Sequence, residues 1–231
     1  MNNSEQFEWA VEHYQKGNLQ QAENICKKIL EVHSRNIDAL RLLSMLYYQL
    51  KKYDLAVTYL QKALQCEPND FYTFFLLGNV FLDQGNLEEA VIYFQNSIEL
   101  NPSFADAYYN LAFIFEKTDQ YEKALSSYRK ALALNPKFAD VYNNLGNLLL
   151  KMKHFDDAIL NFTKALQLNP DYILALNNLG IALKEKRLLD DAIIYFQKAI
   201  EINPSFADAY YNLSIVLKEK NQIGEAISFL H

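Results

Sequence analysis

The stretch NPSFADAYYNL at Asn101–Leu111 returns letter for letter at Asn203–Leu213, and a near-copy, NPKFADVYNNL, lies between them at Asn135–Leu145. The five prolines of the chain, Pro68, Pro102, Pro136, Pro170 and Pro204, follow one another at intervals of 34 residues. A fixed period of this length marks a repeat array, in which each unit buries its apolar side against its neighbours. Counting back from the prolines places units at 3–36, 37–70, 71–104, 105–138, 139–172 and 173–206, with an incomplete seventh at 207–231. The expected organisation is a single array over residues 1–231.

Positions within a unit are numbered here so that the proline is the thirty-second. Position 20 is alanine in all seven units (Ala22, Ala56, Ala90, Ala124, Ala158, Ala192, Ala226). Position 8 is small throughout: Ala10, Ser44, Gly78, Ala112, Gly146, Gly180 and Ser214. Position 24 is bulky in six units, from Leu60 through Phe94, Tyr128, Phe162 and Phe196 to Leu230, and is Cys26 in the first. Apolar residues at spacings of three and four predict two amphipathic helices per unit. Small residues at positions 8 and 20 let the two backbones approach, and the bulky residue at 24 fills the space beside them. Proline ends the second helix because it cannot continue the hydrogen-bond ladder. Ser103 and Ser205 are expected to be N-caps of the next helix, with Asp106 and Asp208 three residues on.

These residues resemble the tetratricopeptide repeat family over essentially the whole chain. The family pattern W-x₂-L-G-x₂-Y…A-x₃-F…P reads Phe74, Leu77, Gly78, Phe81, Ala90, Phe94, Pro102 in unit three, and Leu176, Leu179, Gly180, Leu183, Ala192, Phe196, Pro204 in unit six. The resemblance implies an all-α, right-handed superhelical solenoid of antiparallel helix pairs, about six and a half to seven units long. Unit one departs most, with Gln6, His13 and Ser34 at signature positions, as an end cap facing water would. The chain stops at His231, inside the second helix of unit seven, with Ile227, Phe229 and Leu230 near the end. The expectation is a piece of a longer protein; the other reading is a bare end that self-associates.

Composition narrows the function. Acidic residues exceed basic ones, 28 to 22, giving a net charge of −6 with the two signs interspersed. No basic face is present to bind nucleic acid; Lys27-Lys28 and Lys51-Lys52 read as solvated helix faces. The start, MNNSEQFEW, has neither a basic nor an apolar leader region, and no apolar run is long enough for membrane insertion, so a cytoplasmic protein is expected. Cys26 and Cys66 stand 40 residues apart and read as two buried, reduced thiols. His13, His33, His154 and His231 share no repeat position and no metal-ligand spacing, and no nucleophile or phosphate-binding motif appears. No metal, no cofactor and no catalytic residue is expected.

In arrays that this chain resembles, positions 2, 5, 6, 9, 12 and 13 of the first helix face a concave groove. Position 6 is Asn110, Asn144, Asn178 and Asn212 in four consecutive units; Asn143 and Asn177 hold position 5, and Asn79 and Asn147 position 9. A side-chain amide both donates and accepts, so a row of them suits the backbone of an extended peptide. The row is similar to the asparagine ladder of O-linked N-acetylglucosamine transferases. The competing reading makes these asparagines consensus solubilising residues that stabilise neighbouring helices. Phe75, Tyr109, Phe113 and Tyr211, at positions 5 and 9, are candidate anchors for apolar side chains, or packing residues against the adjacent helix. The family's carboxylate clamp is not met: Arg41 at position 5 is followed by Met45 at position 9 and Leu76 at position 6 of the next unit. The expected function is a non-catalytic scaffold that binds a protein or peptide. The alternatives are the recognition arm of a larger enzyme, such as a glycosyltransferase continuing beyond residue 231, and a self-associating assembly protein.

Overall fold

A computed structural model describes residues 3–220. Seven first helices, α1 (Asn3–Gln15), α3 (Ile37–Gln49), α5 (Phe71–Asp83), α7 (Ala105–Lys117), α9 (Ala139–Lys151), α11 (Ile173–Glu185) and α13 (Ala207–Glu219), start 34 residues apart. Between them run six second helices, α2 (Leu19–Val32), α4 (Tyr53–Cys66), α6 (Leu87–Leu100), α8 (Tyr121–Leu134), α10 (Phe155–Leu168) and α12 (Leu189–Ile202). Every regular element among the described residues is an α-helix. The chain divides into two compact bodies, Met1–Ile114 and Phe115–His231. In each, helix pairs are close-packed: α3 on α4 and α5 on α6 in the first, α9 on α10 and α11 on α12 in the second.

The interlock between positions 8 and 24 follows the sequence pattern. A β-carbon on Gly78, Gly146 or Gly180 would lie 2.6 Å from the ring of Phe94, Phe162 or Phe196 respectively. All three rings are fully buried, so glycine is the residue that lets each ring lie against the facing helix. The six described alanines at position 20 are 0% exposed; Ala226 and Leu230 lie outside the described residues. Two further buried positions escaped the sequence pattern. Position 3 (Ala39, Thr73, Ala107, Val141, Ala175, Ala209) and position 27 (Ile29, Ala63, Ser97, Ala131, Ala165, Ala199) are also closed to solvent.

The turn inside each pair has one geometry. Position 15 has positive φ in units one to six: Gly17 and Gly85 at 76° and 81°, but also Lys51, Asp119, Lys153 and Arg187 at 56° to 64°. The hydrogen bonds around it form a Schellman closure, as where Lys153 N–H donates to Leu150 O and His154 N–H to Leu149 O (3.0 and 2.8 Å). Lys51-Lys52 therefore form a turn, not the solvated helix face expected of them, because the left-handed residue ends α3.

The turns between units correct the capping expectation. The residue before α13 is Phe206 and that before α9 is Phe138, neither with a side-chain cap. Ser205 and Ser103 stand one place earlier, in Asx turns: Asn203 Oδ1 accepts from Ser205 N–H (3.0 Å) and Asn101 Oδ1 from Ser103 N–H (3.2 Å). The asparagine before proline closes the turn first, which places the serine outside the helix. Proline follows the cap of α4, α6, α8, α10 and α12, yet α2 ends at the equivalent Val32 with Ser34 in the proline position. Cys26 is fully buried and burial pushes its thiol up to about 12, whereas Cys66 is only half-buried. Trp9 is 45% exposed where every other unit carries a buried leucine.

Candidate functional site

The asparagine row is a set of links between successive first helices. In the C-terminal body, Asn178 Nδ2 donates to Asn143 Oδ1 (3.0 Å) and Asn212 Nδ2 donates to Asn177 Oδ1 (2.9 Å). Asn143 Nδ2 donates in turn to Asn144 Oδ1 (3.2 Å). Asn143 and Asn177 are 3% and 6% exposed, and a buried amide without a partner would be costly. These two therefore back the row and offer no contact surface, which corrects their expected role as contact residues. Asn144, Asn178 and Asn212 are half-buried, and Asn147 lies one turn beyond Asn143 on the same helix, also half-buried. Among the described residues, the Oδ1 atoms of Asn178 and Asn212 accept no hydrogen bond.

The N-terminal body repeats the link once, where Asn110 Nδ2 donates to Asn79 Oδ1 (2.7 Å). Around it the surface is aromatic. Phe75 meets Phe104 edge-on at 4.8 Å and stacks on Tyr72 at 6.0 Å, so it packs within its own body. Tyr109 and Phe113 are half-buried, whereas Tyr211, the counterpart of Tyr109 in the repeated stretch, is 64% exposed. Arg41 lies against Asp70, with Nε to Oδ2 at 3.4 Å, and over the Tyr72 ring.

Sequence reasoning missed a second set of links because their partners follow no motif. Tyr47 O–H donates to Glu23 Oε1 (2.8 Å), which Lys27 also contacts, and Tyr48 O–H donates to Asp83 Oδ2 (2.6 Å). Desolvation and the Glu23 carboxylate push the Tyr47 phenol up to about 12. Lys27 is raised to about 12 by its bond to Glu23, whose own carboxyl is lowered by that bond. Burial, with Asp83 beside it, raises Tyr48 as well. Among the described residues no group of three His, Cys, Asp or Glu side chains could hold a metal ion, and no helix is long and apolar enough to cross a membrane.

Models of the tetratricopeptide repeat match residues 139–172, 173–206 and 195–228, and a TPR repeat model matches 78–119 and 117–153. The chain belongs to the tetratricopeptide repeat family. A model of the anaphase-promoting complex, cyclosome, subunit 3 matches residues 15–97. Among solved structures, MamA is 30% identical over 71% of this chain and 96% of its own, with a TM-score of 0.65. YrrB, described as a TPR protein with an unusual peptide-binding site, is 22% identical over 80% and 96% of the two chains (TM-score 0.65). The pilF protein of Pseudomonas aeruginosa is 20% identical over 90% and 94% (TM-score 0.80). At these last two identities the likeness is one of fold. No curated protein sequence matches this chain. Against the tetratricopeptide repeat pattern, unit two replaces the Gly–Phe interlock with Ser44 and Leu60, whose Ser44 Oγ donates back to Arg41 O (2.6 Å).

Proposed function

We propose that this tetratricopeptide repeat chain is a non-catalytic protein-interaction scaffold that holds an extended segment of a partner along its first-helix face. The observation that carries the reading is the set of pre-oriented amides. Asn110, Asn178 and Asn212 each spend one N–H on the unit before, and the remaining N–H and the Oδ1 of Asn178 and Asn212 are left for a ligand backbone. Fixing the amide before binding removes part of the ordering cost of association. In the C-terminal body Asn144 and Asn147 extend the polar row, and Tyr211, 64% exposed, supplies apolar contact beside it; in the N-terminal body Asn79 and Asn110, with Tyr109 and Phe113, offer a polar and aromatic face of the same kind. The peptide-binding description of YrrB fits this use of the fold.

The test compares proteins retained from a lysate by the immobilised chain, by Tyr211→Ala, and by a variant with Asn110, Asn144, Asn178 and Asn212 all replaced by alanine. Both variants should lose a common set of partners, the fourfold variant more completely. Thermal melts separate binding from folding, since Tyr211→Ala removes no buried contact and should melt as the native chain does. Full retention by Tyr211→Ala, together with losses by the fourfold variant no greater than its lost stability explains, would remove this face from the mechanism.

A further inference from the structure

The outer side of the second helices is a different surface, and two of them share a pattern the others lack. Their inner sides are buried through Ala158, Phe162 and Ala165 on α10 and Ala192, Phe196 and Ala199 on α12. Their outer sides expose Leu160 (57%) and Ile194 (47%). One turn before the apolar residue stands an acid, Asp157 or Asp191, and one turn after it a lysine, Lys164 or Lys198, all four exposed. No other second helix combines an acid at position 19, an apolar residue at 22 and a lysine at 26.

These charges are not consumed among the described residues. The ion pairs of α10 and α12 engage the neighbouring Asp156 and Asp190, with Lys186 and Lys220. Asp157, Asp191 and Lys164 have no ion-pair partner among the described residues, and Lys198 only rests over the Tyr195 ring at 5.2 Å. Acid and lysine on one helix are seven residues, about 10.5 Å, apart, too far to pair with each other. That spacing places the apolar residue near the midpoint between opposite charges.

A surface of this kind is complementary to itself under a two-fold rotation. We infer that the outer faces of α10 and α12 dock a second copy of this chain, with α10 of one copy antiparallel to α12 of the other. Asp157 then meets the second copy's equivalent of Lys198, Lys164 its equivalent of Asp191, and Leu160 its equivalent of Ile194. The same contacts recur on the other side of the axis. The patch comprises two short helical faces, so the dimer is a weak one, below the area of a standard interface, and it leaves the first-helix face uncovered for a partner.

Sedimentation velocity of the full chain, from about 10 μM to about 1 mM, should show a monomer–dimer equilibrium that weakens severalfold as salt rises from about 50 to about 500 mM. Asp157→Lys/Asp191→Lys sets lysine against lysine and Lys164→Asp/Lys198→Asp sets acid against acid, so each variant alone should associate at least ~10-fold more weakly. An equimolar mixture of the two should dimerise again, because every contact is then between opposite charges. The altered residues are exposed, and circular dichroism verifies that each variant folds. If a swap fails to fold, Leu160→Ser/Ile194→Ser in the same series should abolish the dimer. A native chain that is monomeric throughout, a dimer that survives either swap or the serine variant, or a mixture of folded swap variants that stays monomeric overturns the inference.

Discussion

Units two and five occupy the same slot of the same repeat, and they fill it with different chemistry. At the interlock, unit two sets Ser44 beside Leu60, where unit five sets Gly146 under the Phe162 ring. At position 5, unit two has Arg41, lying against Asp70 and Tyr72, where unit five has Asn143, sealed and bonded to Asn178. Unit two links to its neighbours through phenols and carboxylates, Tyr47 to Glu23 and Tyr48 to Asp83. Unit five links forward to unit six through an amide that does not titrate, and back to unit four through the Lys151–Glu116 ion pair (2.5 Å). The repeat dictates where neighbours touch and leaves open what they touch with, so the two regions should answer differently to mutation and to pH.

The interlock should separate them most. Gly146→Ala puts a β-carbon 2.6 Å from the Phe162 ring and is expected to cost about 1–3 kcal/mol in a urea unfolding series. Adding Phe162→Leu, which copies the leucine of unit two, should recover part of that loss. Ser44→Ala, where a β-carbon is already accommodated, should stay within about 1 kcal/mol of native. Equal costs at the two positions would show that the ring, tight as it is, yields freely.

Next comes the linking chemistry. Tyr47→Phe should cost about 1–2 kcal/mol at neutral pH by leaving Glu23 without its phenol. The Tyr47 phenol and the Lys27 ammonium are both raised to about 12, so the stability they contribute is complete below their ordinary values and lost as pH rises through about 12. The lowered Glu23 carboxyl contributes above its ordinary value and is lost as pH falls toward the folded one. The gap between native and Tyr47→Phe should therefore narrow toward both extremes. Asn178→Ala, which orphans the buried Asn143 Oδ1, should cost about 1–3 kcal/mol with no such dependence. Melts at neutral and strongly alkaline pH decide between these outcomes.

The smallest effect concerns what the two units share. Lys51 and Lys153 both hold a left-handed conformation, at φ of 57° and 61°, which side-chain-bearing residues adopt at a cost. Lys51→Gly and Lys153→Gly should each stabilise by about 0.5–1 kcal/mol, measured as a rise in melting temperature. A gain at one position only would mean that local contacts of the lysine outweigh its strain.

The period, the helix pairs and the interlock could be read from the sequence because each depends on residue size at fixed spacing. Ala158, Gly146 and Phe162 of unit five, like their counterparts Ala192, Gly180 and Phe196 in unit six, have nowhere else to go once the helices pair. The left-handed turn was hidden, because glycine marks it at Gly17 and Gly85 but Lys, Asp and Arg occupy it elsewhere, held there by hydrogen bonds that the residue at the turn does not itself encode. Ser103 and Ser205 looked like caps because capping chemistry is short-range, and an asparagine two residues earlier could compete for the same turn. The asparagine row was visible as a row. That one member spends itself on the next could be learned only from the packing, which buries Asn143 and Asn177 and leaves Asn178 and Asn212 half-open.

In the C-terminal body the amide link also has a direction: the later unit donates from position 6 and the earlier one accepts at position 5. Units five and six carry both halves, Asn143 with Asn144 and Asn177 with Asn178, whereas unit four has Tyr109 where the acceptor would be. A tandem duplication of unit five or six would thus insert a segment that satisfies its neighbours at both joins. The same event in unit four would bring a copy that lacks the acceptor. This stretch is where the gene could lengthen the array by whole units at least structural cost.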